Sequence, residues 1–170
     1  MMKYSNVVKS ALSAAALGFL ALGLASTSAF AANTVSTTFT VTATVANICT
    51  VSATNMAFNT LVAAVNQTTS TISVTCTTGD VYSVALSAGD SAVENARFMK
   101  GNTTSADHLS YALTSGNYAG PNWGTASGFQ PGTGNGGAQP FIVYGQITAA
   151  QALLAPVDTY SDTITVNVTY

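Results

Sequence analysis

Near the front of the chain the stretch TVSTTFTVTATV, residues Thr34–Val45, alternates with period two. Val35, Thr37, Phe39, Val41, Ala43 and Val45 share one parity, and a row of threonines with Ser36 holds the other. Successive strand side chains point to opposite faces, so this stretch reads as a β-strand with one apolar face and one hydroxyl face. At roughly 3.3 Å per residue it reaches about 40 Å, the height of a small β-sandwich, and its apolar face needs a long groove to bury it.

The rest of the chain keeps the same grammar. Short apolar or alternating runs recur at Ile48–Val51, Ile72–Cys76, Val81–Leu86, Leu109–Leu113, Phe141–Ile147 and Ile164–Val168, separated by turn residues. That spacing predicts an all-β antiparallel sandwich. Helical periodicity is confined to Ala149–Ala155, cut short by Pro156, and predicts a turn or two at most. The segment Asn117–Pro140 concentrates glycine and proline and reads as a long loop interrupting the sheet. Within it, PGTGNGGAQP has the glycines of a phosphate-binding loop but neither a following Lys-Ser or Lys-Thr nor a helix to open, which favours a flexible loop.

Composition enters at the ends. Lys3 and Lys9 flank the start, an apolar run follows from Ala11 to Ala25, and Ala29-Phe30-Ala31 fits a small-x-small cleavage site, so residues 1–31 are expected to be an export signal. The run falls short of the roughly 20 apolar residues that a membrane span demands, so no membrane insertion is expected after the signal is removed. The expected exported chain, from Ala32, is one domain. Its cations are Arg97 and Lys100, set against six carboxylates, which offers nothing to nucleic acid or an anionic membrane.

Cys49 and Cys76 are the chain's two cysteines. In an oxidising compartment an isolated pair points to a disulfide rather than a metal site, with free thiols as the alternative. His108 is the sole histidine, which excludes a multi-histidine metal centre and leaves at most one imidazole for acid–base work. Asp107 beside it, with scattered serines and no nucleophile-elbow motif, does not make a triad. Asp158 and Asp162 flank Tyr160 and read as turn and strand-edge residues. Trp123 and the tyrosines are candidates for a sugar platform, for core, or for subunit contacts. No catalytic residue, cofactor site or metal site is expected, and the chain reads as a non-enzyme.

The final third, FIVYGQITAAQALLAPVDTYSDTITVNVTY, joins a V-Y-G-x-I strand, a T-Y-x-D-T corner and an alternating strand that runs to Tyr170. Upstream stand the early Cys49, VTCTTGDVYSVALSAG at Val74–Gly89, ARFM at Ala96–Met99, LSYAL at Leu109–Leu113, and Trp123-Gly124. This ordered set resembles the spore coat protein U family over essentially all of the expected exported chain. One departure is Asp158, where the family usually has glycine before Thr-Tyr; aspartate tolerates a left-handed backbone, so the turn is expected to survive.

The family includes secreted pilins of archaic chaperone-usher pili, and the resemblance implies the following. The fold is an incomplete immunoglobulin-like β-sandwich, completed by an N-terminal donor strand from a neighbouring subunit. Residues 1–31 are the signal, 32–47 the donor-strand extension and 48–170 the pilin domain. Val35, Thr37, Phe39, Val41, Ala43 and Val45 face the neighbour's groove, and Tyr160, Ile164, Val166, Val168 and Tyr170 form the C-terminal strand at the groove edge. The implied partners are identical or related pilin subunits, a periplasmic chaperone and an outer-membrane usher. The implied location is a surface fimbrium reached through the periplasm, with a role in adhesion and biofilm formation. A spore-coat or other surface-layer role, or a carbohydrate-binding module, is the alternative.

Overall fold

The computed structural model describes residues 32–170; the expected signal at 1–31 lies outside the described residues. The chain divides between Thr42 and Ala43. Every residue from 32 to 48 is exposed and outside any ladder, with Val35, Phe39, Val41 and Val45 between 80% and 95% exposed.

From Cys49 onward the fold is an all-β, immunoglobulin-like antiparallel sandwich. The strands are β1 (Cys49–Ala53), β2 (Asn66–Cys76), β3 (Val81–Leu86), β4 (Phe98–Gly101), β5 (His108–Ser110), β6 (Ala112–Ser115), β7 (Gln130–Thr133), β8 (Gln139–Ile147), β9 (Tyr160–Ser161) and β10 (Val166–Thr169). Three sheets result, ordered β1-β2-β8-β6, β10-β3-β7 and β5-β4-β9. The alternating residues anticipated as apolar faces do face inward. Ile72, Val74 and Cys76 of β2 meet Tyr82, Val84 and Leu86 of β3, with Leu113, Val143 and Ile147 completing a core in which each is at most 4% exposed. The opposite faces of β2 carry Thr69, Thr71, Ser73 and Thr75, which leaves hydroxyls on the surface.

The one α-helix among the described residues, α1 (Ala149–Leu154), is as short as its sequence implies. Thr148 and Gln151 close it with a reciprocal capping box, in which the Thr148 hydroxyl accepts from Gln151 N and the Gln151 amide oxygen accepts from Thr148 N.

Three expectations need correction. The segment 117–140 is not one long loop, because Gln130–Thr133 forms β7 and pairs antiparallel with β3. Its Pro131 is tolerated because β7 is an edge strand. Gly132 is required there, since a Cβ at that position would collide with the Tyr82 ring. The run Leu109–Leu113 is likewise not one strand. It breaks at Tyr111, so that β5 pairs with β4 and β6 pairs with β8, and the Tyr111 amide donates to Arg97 O at 3.1 Å between them. Finally, among the described residues the non-glycine positions with positive φ are Asn59 and Ala92, so Asp158 needs no left-handed backbone and its role is a different one.

Candidate functional site: an apolar groove between two strand edges

Strands β1 and β10 are edge strands of different sheets. Where β1 ends at Ala53 and β10 begins at Val166, the sandwich interior opens as a groove of about 610 Å³. Its floor is built from core side chains of both sheets, Ile72, Leu113 and Val143 on one side and Leu86 on the other. Met56, Phe58, Met99, Tyr160, Ile164 and Val166 form its walls. Thr54, Asn55, Ser70, Asp162 and Thr163 bring polar groups to the same lining, so the groove suits a guest that presents apolar side chains together with hydrogen-bonding groups.

Each wall has a local cause. Met56 and Phe58 lie in the connection after β1 and fold over Gly145 of β8, where an added Cβ would strike the Met56 sulfur and crowd the Phe58 ring. The opposite wall runs from Ser161, the last residue of β9, to Val166 through irregular backbone pinned by side chains. Asp162 accepts from the Tyr111 hydroxyl at 2.5 Å, from Asp90 N at 3.0 Å and from its neighbour Thr163 N at 2.6 Å. Thr165 N donates to Ser87 Oγ at 2.9 Å, and Thr165 O accepts from Ser87 N at 3.0 Å. Burial, followed by the hydrogen bond and charge of Asp162, pushes the Tyr111 hydroxyl well above the usual tyrosine range. The phenol therefore stays a donor, and this wall of the groove is fixed.

The residues singled out for the C-terminal edge do not share one strand. Tyr160 lies on β9 and pairs opposite Gly101 of β4, and its hydroxyl donates to Pro156 O at 2.6 Å. Ile164 sits in the pinned stretch, Val166 and Val168 on β10, and Tyr170 beyond it, 57% exposed. Of these, Tyr160, Ile164 and Val166 line the groove, whereas Val168 packs on the core outside it. Among the lining residues not anticipated are Met56, Phe58, Met99 and Tyr111. The first two carry a signal in the alternation M-A-F that follows β1; the other two become visible only when three sheets are assembled.

Cys49 and Cys76 are joined in a disulfide with an S–S distance of 2.02 Å, at the end of the paired strands β1 and β2. Asp80 lies close to both sulfurs, but the bridge has consumed both thiolates, so the group is no metal site. Asp158 accepts from Thr103 N, Thr104 N and Thr159 N at 2.7–3.1 Å and ties the loop after β4 to the chain before β9. Burial pushes its carboxyl up, but the Thr103, Thr104 and Thr159 hydrogen bonds outweigh this and hold it below its usual value. His108 is exposed and stacks on Phe98 with centroids 3.9 Å apart. Trp123 is wholly buried, with its indole N–H donated to Val84 O at 2.9 Å, so it is core and no sugar platform.

The family model described as the Spore Coat Protein U domain matches residues 35–167. The chain belongs to the Spore Coat Protein U family. Membership makes it a structural protein rather than an enzyme. The match begins within the exposed alternating stretch, so the Spore Coat Protein U domain takes in most of it as well as the sandwich. No curated protein sequence is matched. Among solved structures, the fold is similar to a chain in the CsuC–CsuE chaperone–tip adhesion subunit pre-assembly complex from archaic chaperone-usher Csu pili of Acinetobacter baumannii. The TM-score is 0.58 at 23% identity, over 75% of this chain and 41% of that one. The Spore Coat Protein U chain thus spans about two-fifths of that neighbour's length, and the likeness is one of fold.

Proposed function

We propose that this chain is a structural subunit of a bacterial surface fibre, secreted by a chaperone-usher route and polymerised by donor-strand exchange. The observation that carries the reading is the open groove where β1 ends and β10 begins, in a chain that also bears an exposed alternating segment at 34–45. The strand of one copy seats Val35, Thr37, Phe39, Val41, Ala43 and Val45 in the groove of the next. Burying the four large apolar side chains contributes on the order of 10 kcal/mol, at about 1.5–3 each, and main-chain hydrogen bonds add to it. A joint of that strength holds a fibre together.

The same physics calls for a chaperone that covers the groove, and the family resemblance adds an outer-membrane usher as a second partner. Unpaired edges beside an uncovered apolar groove are an aggregation hazard until a strand fills them. In this reading residues 1–31 are the export signal, 32–47 the donor extension and 48–170 the pilin domain, and the fibre serves adhesion and biofilm formation at the cell surface. The Csu complex, itself a chaperone with a pilus subunit, supports such a partnership by its fold.

The test places a charge in the inserted row. Phe39→Asp leaves a soluble, chaperone-bound subunit and abolishes fibres in electron micrographs. Fibres of normal length and number from that variant would overturn the reading.

A further inference from the structure

Beyond Met1 and Met2, the chain's methionines are Met56 and Met99, and both line the groove. They come from different places, Met56 from the connection after β1 and Met99 from β4, and each is partly exposed. Met56 rests its sulfur against the backbone of Gly145, where no side chain could fit beside it. Flexible thioethers suit a surface that must close around a guest. We propose that Met56 and Met99 form an oxidant-sensitive modification site, and that their conversion to methionine sulfoxide disables the groove until it is reversed. The inference rests on the donor-strand reading above and adds a chemical control to it.

The chemistry needs a peroxide or hypohalous acid, small enough to enter the open groove. With hydrogen peroxide, a sulfur lone pair attacks one peroxide oxygen. The S–O bond forms as the O–O bond breaks, and the departing hydroxide takes the proton from the transferred oxygen, leaving as water and giving the neutral sulfoxide. Sulfur loses two electrons and peroxide gains them. The chain offers no competing thiol, because Cys49 and Cys76 are bridged, and Trp123 is wholly buried. The product replaces an apolar thioether by a polar, chiral S=O group. Once a strand is seated, the added oxygen takes the place of an apolar surface against the inserted side chains and loses the water that solvated it in the open groove. A groove filled before exposure excludes the oxidant, so assembled fibre is protected and unassembled subunit is not. Methionine sulfoxide reductase restores the thioether at the expense of a dithiol.

The experiment uses monomeric full-length chain, assembled fibre and a synthetic peptide of residues 34–45. Each protein sample is treated with hydrogen peroxide, sulfoxide is read at Met56 and Met99 by mass spectrometry, and peptide affinity is measured by titration before and after. The monomer is expected to oxidise at both positions and lose affinity at least about tenfold. The reductase is expected to restore it, the fibre to remain unoxidised, and M56L/M99L to bind equally well before and after peroxide. Undiminished affinity at full conversion of both residues, or an equal loss in M56L/M99L, would overturn the inference. Failure of untreated chain to bind the peptide at all is a separate result, which overturns the donor-strand reading and this inference together.

Discussion

The Tyr111 hydroxyl donates to Asp162 Oδ2 at 2.5 Å, joining the junction of β5 and β6 to the stretch that becomes the groove wall. This bond spans 51 residues of sequence and connects two of the three sheets' loops. Tyr111→Phe is expected to cost about 1–2 kcal/mol, because it leaves a partly buried carboxylate oxygen without its donor. Urea unfolding of the two proteins at neutral pH measures the difference.

The same pair makes stability depend on pH at the alkaline end. The folded-state pKa of Tyr111 lies above the unfolded value of about 10. The folded chain therefore binds this proton more tightly than the unfolded chain. Its contribution is fully present below pH about 10 and is lost as pH climbs beyond that, when the unfolded chain ionises first. Stability followed from pH 8 to 11 by chemical denaturation is expected to fall more steeply in the native protein than in Tyr111→Phe.

Arg97 is 1% exposed, and its guanidinium donates to Ser87 O through Nε at 2.9 Å, to Trp123 O at 2.8 Å, to Glu94 O at 3.0 Å and to Asn122 Oδ1 at 3.1 Å. Its acceptors are carbonyls, so what holds it is the planar fan of donors rather than an ion pair. Arg97→Ala strands several buried acceptors at once and is expected to cost on the order of 3 kcal/mol or more. Arg97→Lys recovers little of this, because a compact ammonium cannot reach the same fan of oxygens. Thermal melts of both variants test the ordering.

The disulfide closes a sequence separation of 27 residues. Constraint of the unfolded chain by such a loop stabilises by roughly 3–4 kcal/mol in the chain-entropy model. The double variant Cys49→Ser/Cys76→Ser is expected to lose that amount in denaturant titrations while keeping its strand content by circular dichroism.

Much of this molecule is legible in its sequence because its strands alternate. Val81–Leu86 stands in the structure with the bounds its pattern implies, and the inward rows of β2 and β8 follow the parity of Ile72, Val74, Val143 and Ile147. What was not legible depends on neighbours remote in the chain. Pro131 and Gly132 look like loop residues until an edge position and the Tyr82 ring give each a reason to be in a strand. Tyr111 looks like the middle of a strand until two sheets pull the flanking residues apart. Asp158 looks like a backbone accommodation in sequence, whereas its carboxylate collects three amide donors. At the groove, alternation marked Ile164 and Val166, but Met99 belongs to a third sheet that no local period announces.

The central claim is that the sandwich lacks a strand that the segment 34–45 of another copy supplies. Thermal unfolding of residues 48–170, with and without a synthetic peptide of residues 34–45, tests it most directly. The account predicts a midpoint that rises with peptide concentration, by about 10 °C when the peptide stands near a hundredfold above its dissociation constant. A truncated chain that is already highly stable, with a midpoint that does not move at any peptide concentration, would contradict it.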